Sequence, residues 1–236
     1  MERTAIVTGG SQGLGRELVA RLLGTGWRVV TDARDEDRLR RTADQLAAVV
    51  GYPDIDRLAA LPGDVTDDDH RRDLIVAAGD AIDLVVNNAS TIGSSPLHTL
   101  GDLSSDELRT TLDVNVVAPV GLLRAAAPHL AAGAVVVNVS SDAAVEAYET
   151  WGGYGASKAA LDQVSRILAA ERPDLRVYAV DPGDMRTELH QAAFPGEDIS
   201  DRPLPDASAD AILALVAGDR PSGRYRTADL VVEEDP

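Results

Sequence analysis

A glycine-rich turn stands directly after the first apolar run of the chain. Thr4–Val7 is short and rich in β-branched residues, and TGGSQGLG follows it before a helical pattern begins. The glycines Gly9, Gly13 and Gly15 permit a tight turn and a close approach of the backbone to a pyrophosphate. The start of the helix then offers unpaired N–H groups and the positive end of its dipole. Strand, turn and helix in this order predict a nucleotide-binding α/β domain.

Short apolar runs alternate with helical patterns along the remaining chain. The runs predict strands at 4–7, 28–31, 57–61, 82–86, 134–139 and 176–180, with a possible last strand at 230–232. Helices are predicted at 14–23, 38–50, 104–130 and 154–171. This alternation predicts right-handed crossovers and a Rossmann-type, doubly wound parallel sheet of about seven strands with helices on both faces.

We expect a single domain over residues 1–236, since no linker or repeat interrupts the pattern. The capping pattern that starts at Ser104 opens the long helix, and Pro119 and Pro128 are the positions where it could kink or end. Pro173 stops the helix that begins at Tyr154. Residues 182–205 are polar and rich in proline and glycine, which predicts a loop with a short helix and a candidate lid over the substrate.

The net charge of −17 limits the partners that this chain can bind and the way in which it can bind an anion. It argues against wholesale binding of nucleic acid or anionic membranes, and any anion site has to be built locally. The absence of cysteine excludes disulfides, thiolate catalysis and Cys-ligated metals. No apolar run reaches about 18 residues, and the strand pattern begins too early for a signal peptide. We therefore expect a cytoplasmic protein that acts on a small molecule.

The stretch YGASK, residues 154–158, contains the one lysine among 22 basic residues. Tyr154 and Lys158 are four residues apart on a predicted helix, so they share a face. A cation within about 4–6 Å lowers the pKa of a tyrosine, which predicts an acid/base group. Ser141, at the end of a predicted strand, could polarise a substrate carbonyl. A compact ammonium with three donors suits two small oxygens better than a bulkier guanidinium fork does.

The tip of the second predicted strand should lie beside the adenosine ribose of a dinucleotide. An acid there would bind the ribose 2′-hydroxyl of NAD, and an arginine would bind the 2′-phosphate of NADP. The stretch contains both Asp32 and Arg34, so spacing alone leaves the two cofactors open.

Together these motifs resemble the short-chain dehydrogenase/reductase family, from Thr4 to about Leu230. Further matches follow in the family's order, namely Asp64-Val65 in GDVTD, NNAS at 87–90, Asn115 in DVNVV, and DPGDMRT at 181–187. The resemblance implies a carbonyl reductase (ketoreductase) or alcohol dehydrogenase. Tyr154 would be the acid/base, Lys158 would tune it and hold the nicotinamide ribose, Ser141 would polarise the substrate, and Asn115 would complete a relay to solvent through water.

The resemblance also implies the residues that bind the cofactor. They are Gly9, Ser11, Gln12, Gly13, Leu14, Gly15, Ala33, Arg34, Asp64, Val65, Asn88, Ala89, Ser90, Tyr154, Lys158, Pro182, Gly183 and Thr187. The family's NAD-selecting acid would sit at Ala33 and its NADP-selecting arginine at Arg34. NADP(H) is therefore favoured, with NAD(H) as the alternative, and the nearby Asp32, Asp35 and Asp37 weigh against a 2′-phosphate.

Ser90 departs from the family pattern, which has glycine as the last residue of NNAG. Its side chain could crowd the cofactor or donate a hydrogen bond. The alternative function is a non-catalytic NADP(H)-binding regulatory or scaffold protein. The intact Ser-Tyr-Lys set argues against that alternative, because a binding protein has no need of a catalytic trio.

The remaining expectations concern metals, pocket walls and assembly. His70, His98, His129 and His190 show no metal-ligand spacing and are interpreted as surface or loop residues, so no metal site is predicted. His98, His190 and Trp151 could border the pocket, with Trp151 mainly a packing residue. The family resemblance implies a homotetramer or homodimer, built through the helices that contain Asn115 and Tyr154.

Overall fold

A computed structural model of the chain describes residues 3–49 and 57–230. Seven strands form one parallel sheet in the order β3-β2-β1-β4-β5-β6-β7. The strands are β1 Thr4–Val7, β2 Arg28–Ala33, β3 Leu58–Pro62, β4 Ile82–Asn87, β5 Leu130–Val139, β6 Arg176–Asp181 and β7 Gly223–Arg226. The predicted Rossmann-type sheet is confirmed. The seventh strand of the sheet is β7. Of the possible last strand predicted at 230–232, Leu230 is in a turn, and residues 231–232 lie outside the described residues.

Helices cover both faces of the sheet. They are α1 Gly13–Gly24, α2 Glu36–Val49, α3 Asp68–Ala78, α4 Ser105–Leu112, α5 Ala118–Ala126, α6 Gly152–Glu171, α7 Glu188–Ala193 and α8 Asp206–Ala217. Adjacent strand residues enter opposite cores. Val7 packs with Leu18 of α1 and Ile212 of α8, whereas Ile6 packs with Leu74 of α3 and Leu122 of α5. This double burial explains why the strands read as continuous apolar runs.

The predicted helix from Ser104 to Leu130 is wrong in extent. The capping box at Ser104 is present and opens α4, but a wider π-type turn over Asp113–Val117 separates α4 from α5. Within that turn the Ala118 N–H donates to the carbonyl of Asp113, five residues back. Pro119 has no N–H to offer the carbonyl four residues before it, which is a physical reason for the change of register. Leu130 already belongs to β5.

Two helices were not foreseen from the sequence, and the others lie close to their predicted positions. The unforeseen helices are α3 and α8. Within residues 182–205 the structure contains the short helix α7, as expected for this segment. Among the described residues, no helix combines the length and the apolar character needed to cross a membrane.

Candidate active site

One cavity of about 640 Å³ runs along the carboxyl ends of the strands. Every cofactor and catalytic residue predicted from the sequence lines it, with the exception of Asn115. Ligands of open parallel α/β sheets bind at this edge, where the strand order reverses on either side of β1 and β4. The cavity therefore joins the glycine turn at one end to Ser141, Tyr154 and Lys158 at the other.

The glycine turn has the features that a dinucleotide pyrophosphate requires. Gly9 and Gly13 have φ of +72° and +53°, which favours glycine. A side chain at Gly15 would meet the carbonyl oxygen of Gly9 at 2.3 Å. The N-cap residue of α1, Gln12, makes no side-chain capping bond, so the first N–H groups of the helix are left for an anion. The residues present fit a dinucleotide cofactor.

Thr8 and Asn88 hold the glycine turn against the end of β4. The Thr8 hydroxyl accepts from the backbone N–H groups of Asn88 and Ala89, each at 3.0 Å. The Asn88 amide donates to the carbonyls of Thr8 at 2.8 Å and Gly9 at 3.2 Å. The side chain of Asn88 thus braces the turn from behind, in addition to lining the cavity.

The carboxylate of Asp32, at the end of β2, is bonded within the protein although the residue also lines the cavity. It is 2% exposed, and its Oδ1 accepts from the Gly9 N–H at 2.7 Å. Its Oδ2 lies 3.1 Å from Nε2 of His70 on α3. This hydrogen bond raises the pKa of His70, and the charge of Asp32 acts in the same direction. When protonated, the His70 imidazole compensates the charge of Asp32, one of the acids that weighed against a 2′-phosphate. Arg34, in contrast, is exposed and lines the cavity.

The expectation that all four histidines are surface or loop residues is wrong for two of them. His70 and His190 are each 8% exposed and lie on helices. His70 is buried because it pairs with the inward carboxylate of Asp32, and the His190 ring packs on Phe194 with centroids 4.9 Å apart. His190 also lines the cavity. Among residues 3–49 and 57–230, no cluster of three metal-binding side chains occurs.

Tyr154 and Lys158 lie together at the start of α6, below the end of β5. The Lys158 Nζ is 5.4 Å from the centre of the Tyr154 ring and donates to the Val139 carbonyl at 2.8 Å. Gly155 allows α6 to approach the turn that contains Ala143, since a side chain there would meet the Ala143 carbonyl oxygen at 2.7 Å. YGASK therefore brings the pair onto one face and lets α6 pack tightly against the turn that follows Ser141.

The pKa values of the pair differ from the expectation. Burial raises the pKa of Tyr154, and hydrogen bonds with Ser141 and Ser90 act in the opposite direction. Burial lowers the pKa of Lys158 to about 8, while the charge of Asp162 acts to raise it. The predicted lowering of the tyrosine pKa is therefore wrong for the chain alone, because desolvation outweighs these hydrogen bonds and the charges of Asp142 and Asp181 add to the rise. At neutral pH Tyr154 is a proton donor.

Ser90 and Asn115 form one hydrogen-bonded unit beside the tyrosine. The Ser90 hydroxyl donates to the Asn115 Oδ1 at 3.1 Å, and the Thr91 N–H donates to the same oxygen at 2.9 Å. The Asn115 amide donates to the Thr91 carbonyl at 2.8 Å and the Ser157 hydroxyl at 2.9 Å. The hydroxyl of Ser90 thus has a hydrogen-bond partner within the protein. The amide of Asn115 fastens the NNAS loop to α6.

Several residues of the site were missed from the sequence. The Ser141 hydroxyl donates to Asp142 Oδ1 at 2.9 Å, and Tyr148 donates to Oδ2 of the same carboxylate at 2.9 Å. Arg224 of β7 donates to the backbone carbonyl of Ser141 at 2.9 Å and to Asp162 at 2.9 Å. Asp142 follows a recognised serine and could have been suspected, whereas no local signal marks Arg224.

The candidate lid forms the apolar wall of the catalytic end and also reaches the adenosine end. Trp151 packs against Tyr154 and Phe194, with ring centroids 5.5 and 5.9 Å apart. Glu188 of α7 pairs with Arg38 of α2 at 2.7 Å. Trp151 thus packs as expected and lines the cavity as well. His98, in contrast, is not among the residues that line it.

Comparison with known proteins agrees with this geometry. Residues 3–198 match the family model of short chain dehydrogenases. Sepiapterin reductase from Mus musculus is 32% identical over 80% of this chain and 76% of its own. NADPH-dependent pterin aldehyde reductase from Arabidopsis thaliana is 30% identical over 92% and 90%. The crystal structure of a short chain dehydrogenase from Shigella flexneri, complexed with NADP, superposes with a TM-score of 0.86 at 27% identity, covering 96% of this chain and 97% of that one.

Proposed function

The chain belongs to the short-chain dehydrogenase family of NAD(P)-dependent oxidoreductases, and from this premise we propose an NADP(H)-dependent carbonyl reductase or alcohol dehydrogenase. One observation carries the proposal. A single cavity has the glycine turn at one end and Ser141, Tyr154 and Lys158 at the other, so a cofactor held by the turn would extend toward the trio. A ketone or aldehyde held by Ser141 and Tyr154 would lie in the same cavity.

The choice of NADP(H) over NAD(H) is supported by the charges at the end of β2. Arg34 lines the cavity where the family's 2′-phosphate is bound, and no acid occupies the position of Ala33. The carboxylate of Asp32 lines the cavity, but it accepts from the Gly9 N–H and lies against His70, which lessens its repulsion of a phosphate. The similar Shigella protein is described as complexed with NADP.

The trio supplies the acid/base chemistry, and bound NADPH would supply the hydride. Tyr154, whose pKa is raised by burial, holds the proton that a carbonyl oxygen accepts on reduction. Ser141 lies beside it, and its hydroxyl, which donates to Asp142 in this structure, would turn to the substrate oxygen where negative charge develops. Below its pKa of about 8, Lys158 carries a positive charge under the tyrosine, which stabilises the phenolate left after the proton is donated.

The aromatic residues at the catalytic end of the cavity suggest which carbonyl compounds to test first as substrates. Trp151, Phe194 and Tyr154 pack together and line the catalytic end of the cavity. Two of the similar proteins carry names of pterin-type reductases. A panel of ketones and aldehydes that includes pteridine carbonyls is therefore the appropriate starting set.

Replacement of the tyrosine tests the proposal directly. Purified protein should oxidise NADPH with a member of the panel, and Tyr154→Phe should lower kcat by at least about a hundredfold, because the general acid is lost. NADPH should still bind, which fluorescence titration of the nicotinamide would measure. Unchanged turnover in Tyr154→Phe would disprove the assignment of the acid.

The alternative function, a non-catalytic NADP(H)-binding regulatory or scaffold protein, has a distinct signature. It predicts tight NADPH binding with no turnover across the panel in either direction. The trio of Ser141, Tyr154 and Lys158 argues against it, because a scaffold has no use for a buried lysine beneath a proton-donating tyrosine.

A further inference from the structure

Arg224 reaches from β7, at one end of the sheet, to the backbone of the catalytic serine. Its Nη2 donates to the Ser141 carbonyl at 2.9 Å, and its Nε donates to Asp162 Oδ2 at 2.9 Å. The same Nη2 lies 3.5 Å from Asp181 Oδ2 at the end of β6. The side chain is only 17% exposed. One guanidinium therefore ties together the ends of β5 and β6 and the middle of α6.

The buried carboxylates beneath the active site are balanced mainly by two enclosed cations, and Asp181 also lies near the exposed Arg226. Asp162 lies one helical turn beyond Lys158, and Asp181 precedes the Pro-Gly turn that borders the cavity. Each carboxylate is 4% exposed, and Oδ1 of Asp162 has no hydrogen-bond partner. Arg224 and Lys158 are the cations on the other side of the balance. Removal of either cation would leave the buried carboxylates with less compensating charge, which proteins tolerate poorly.

We propose that Arg224 is a positioning residue for the catalytic trio, which fixes the backbone of Ser141 and engages Asp162 so that Lys158 stays directed toward Val139 and Tyr154. The arginine acts through other groups, since it does not line the cavity. This inference deepens the proposed function, and its kinetic part rests on that function. Its electrostatic part concerns only Lys158 and can be measured without a substrate.

Arg226 provides a matched control on the same strand. It stands two residues after Arg224, and its Nε is 3.9 Å from the same Asp181 carboxylate. Its side chain is 61% exposed, so water screens its charge. Replacement of Arg226 removes the same chemical group from β7 without disturbing Ser141 or Asp162.

The lone lysine makes the electrostatic part directly measurable. Protein labelled with ¹³C only at the lysine Cε gives one side-chain NMR signal, that of Lys158, which should titrate near pH 8 in the wild type. Arg224→Gln should raise this midpoint by about one unit, because Asp162 then faces Lys158 alone. Arg224→Lys should give a smaller rise, because an ammonium cannot serve three acceptors in a fixed fork. Arg226→Gln should leave the midpoint unchanged.

The kinetic part separates positioning from general stability. Arg224→Gln should lower kcat about ten- to a hundredfold with an unchanged NADPH dissociation constant, since Ser141 loses its anchor. Arg226→Gln should stay within about twofold of the wild type. A lysine midpoint that is the same in Arg224→Gln, or in Arg224→Lys if the glutamine variant does not fold, would overturn the inference. Lack of turnover in the wild type would overturn the proposed function, while the NMR titration would still decide the role of Arg224.

Discussion

The two ends of the cavity use positive charge in opposite ways. At the adenosine end, defined by the glycine turn, Arg34 and Asp64, the cation is exposed on the tip of β2. At the catalytic end, defined by Ser141, Tyr154 and Lys158, the cation is 2% exposed and hydrogen-bonded to a backbone carbonyl. Water screens the first charge, whereas desolvation governs the second.

This difference sets the scale of the expected effects. A net charge of −17 means that an anionic cofactor is bound against the overall field, so each local cation has to contribute. An exposed cation contributes through direct contact with the ligand. A buried one also determines the protonation of its neighbours, and a change there should cost more. Substitutions at the two ends test this comparison.

The largest effect is expected for Lys158→Arg. The side chain is fully enclosed, so a bulkier planar group forces the start of α6 away from Val139. We expect kcat/KM to fall at least about a hundredfold even though the charge is conserved. Steady-state kinetics with the best panel substrate would measure the change.

An exposed arginine provides the control for that substitution. Arg124, whose side chain is 78% exposed, should accept Arg124→Lys with activity within about twofold of the wild type. Near-full activity in Lys158→Arg would show that buried and exposed cations are equivalent here, and the comparison between the two ends would fail.

A smaller effect is expected for Arg34→Ala at the adenosine end. Loss of one charge-assisted phosphate contact should weaken NADPH binding about tenfold and leave NADH binding unchanged. Arg38→Ala is the control, because the Arg38 guanidinium is already paired with Glu188 at 2.7 Å. Dissociation constants for both cofactors, from fluorescence titration, would measure the difference. Equal NADPH affinity before and after Arg34→Ala would favour the NAD(H) alternative.

The sequence predicted the features that local geometry requires. Gly9, Gly13 and Gly15 could be recognised from the sequence because only glycine permits the backbone angles and close approaches of this turn. Tyr154 and Lys158 could be recognised as a pair because residues four apart on a helix share a face. The strands were found from their apolar runs, since a parallel sheet covered on both faces leaves few polar positions in its interior.

The features that escaped prediction depend on distant contacts. Arg224 bonds to a carbonyl 83 residues away, and His70 bonds to Asp32 across 38 residues. The π-type turn before Pro119 results from a register change that an amphipathic pattern does not record. The pKa of Tyr154 was misjudged because spacing shows a nearby cation but does not show the loss of water around the phenol.

The smallest effect on cofactor binding is expected for substitution of His70, which is a buried cation when protonated but lies at the adenosine end. It is buried, but it acts on the adenosine end through the Asp32 carboxylate that accepts from Gly9. Its hydrogen bond with Asp32 raises its pKa, burial opposes this, and the charges of Asp67 and Asp73 add to the rise. Protonated His70 therefore stabilises the fold fully below the unfolded pKa of about 6.5, and this contribution is lost as pH rises through the higher folded value.

The same proton should favour the 2′-phosphate of NADPH, because it offsets the charge of Asp32. NADPH affinity of the wild type should therefore fall about two- to fivefold more between pH 6 and 9 than that of His70→Gln, which cannot gain the charge. Titration of the cofactor phosphate, with a pKa near 6, is common to both proteins and cancels in this comparison. NADH, which lacks the phosphate, should show a smaller difference between the two proteins. If NADPH affinity depended on pH in the same way in the wild type and in His70→Gln, the charge of His70 would have no effect on binding at the adenosine end. Cofactor choice there would then depend on Arg34 alone.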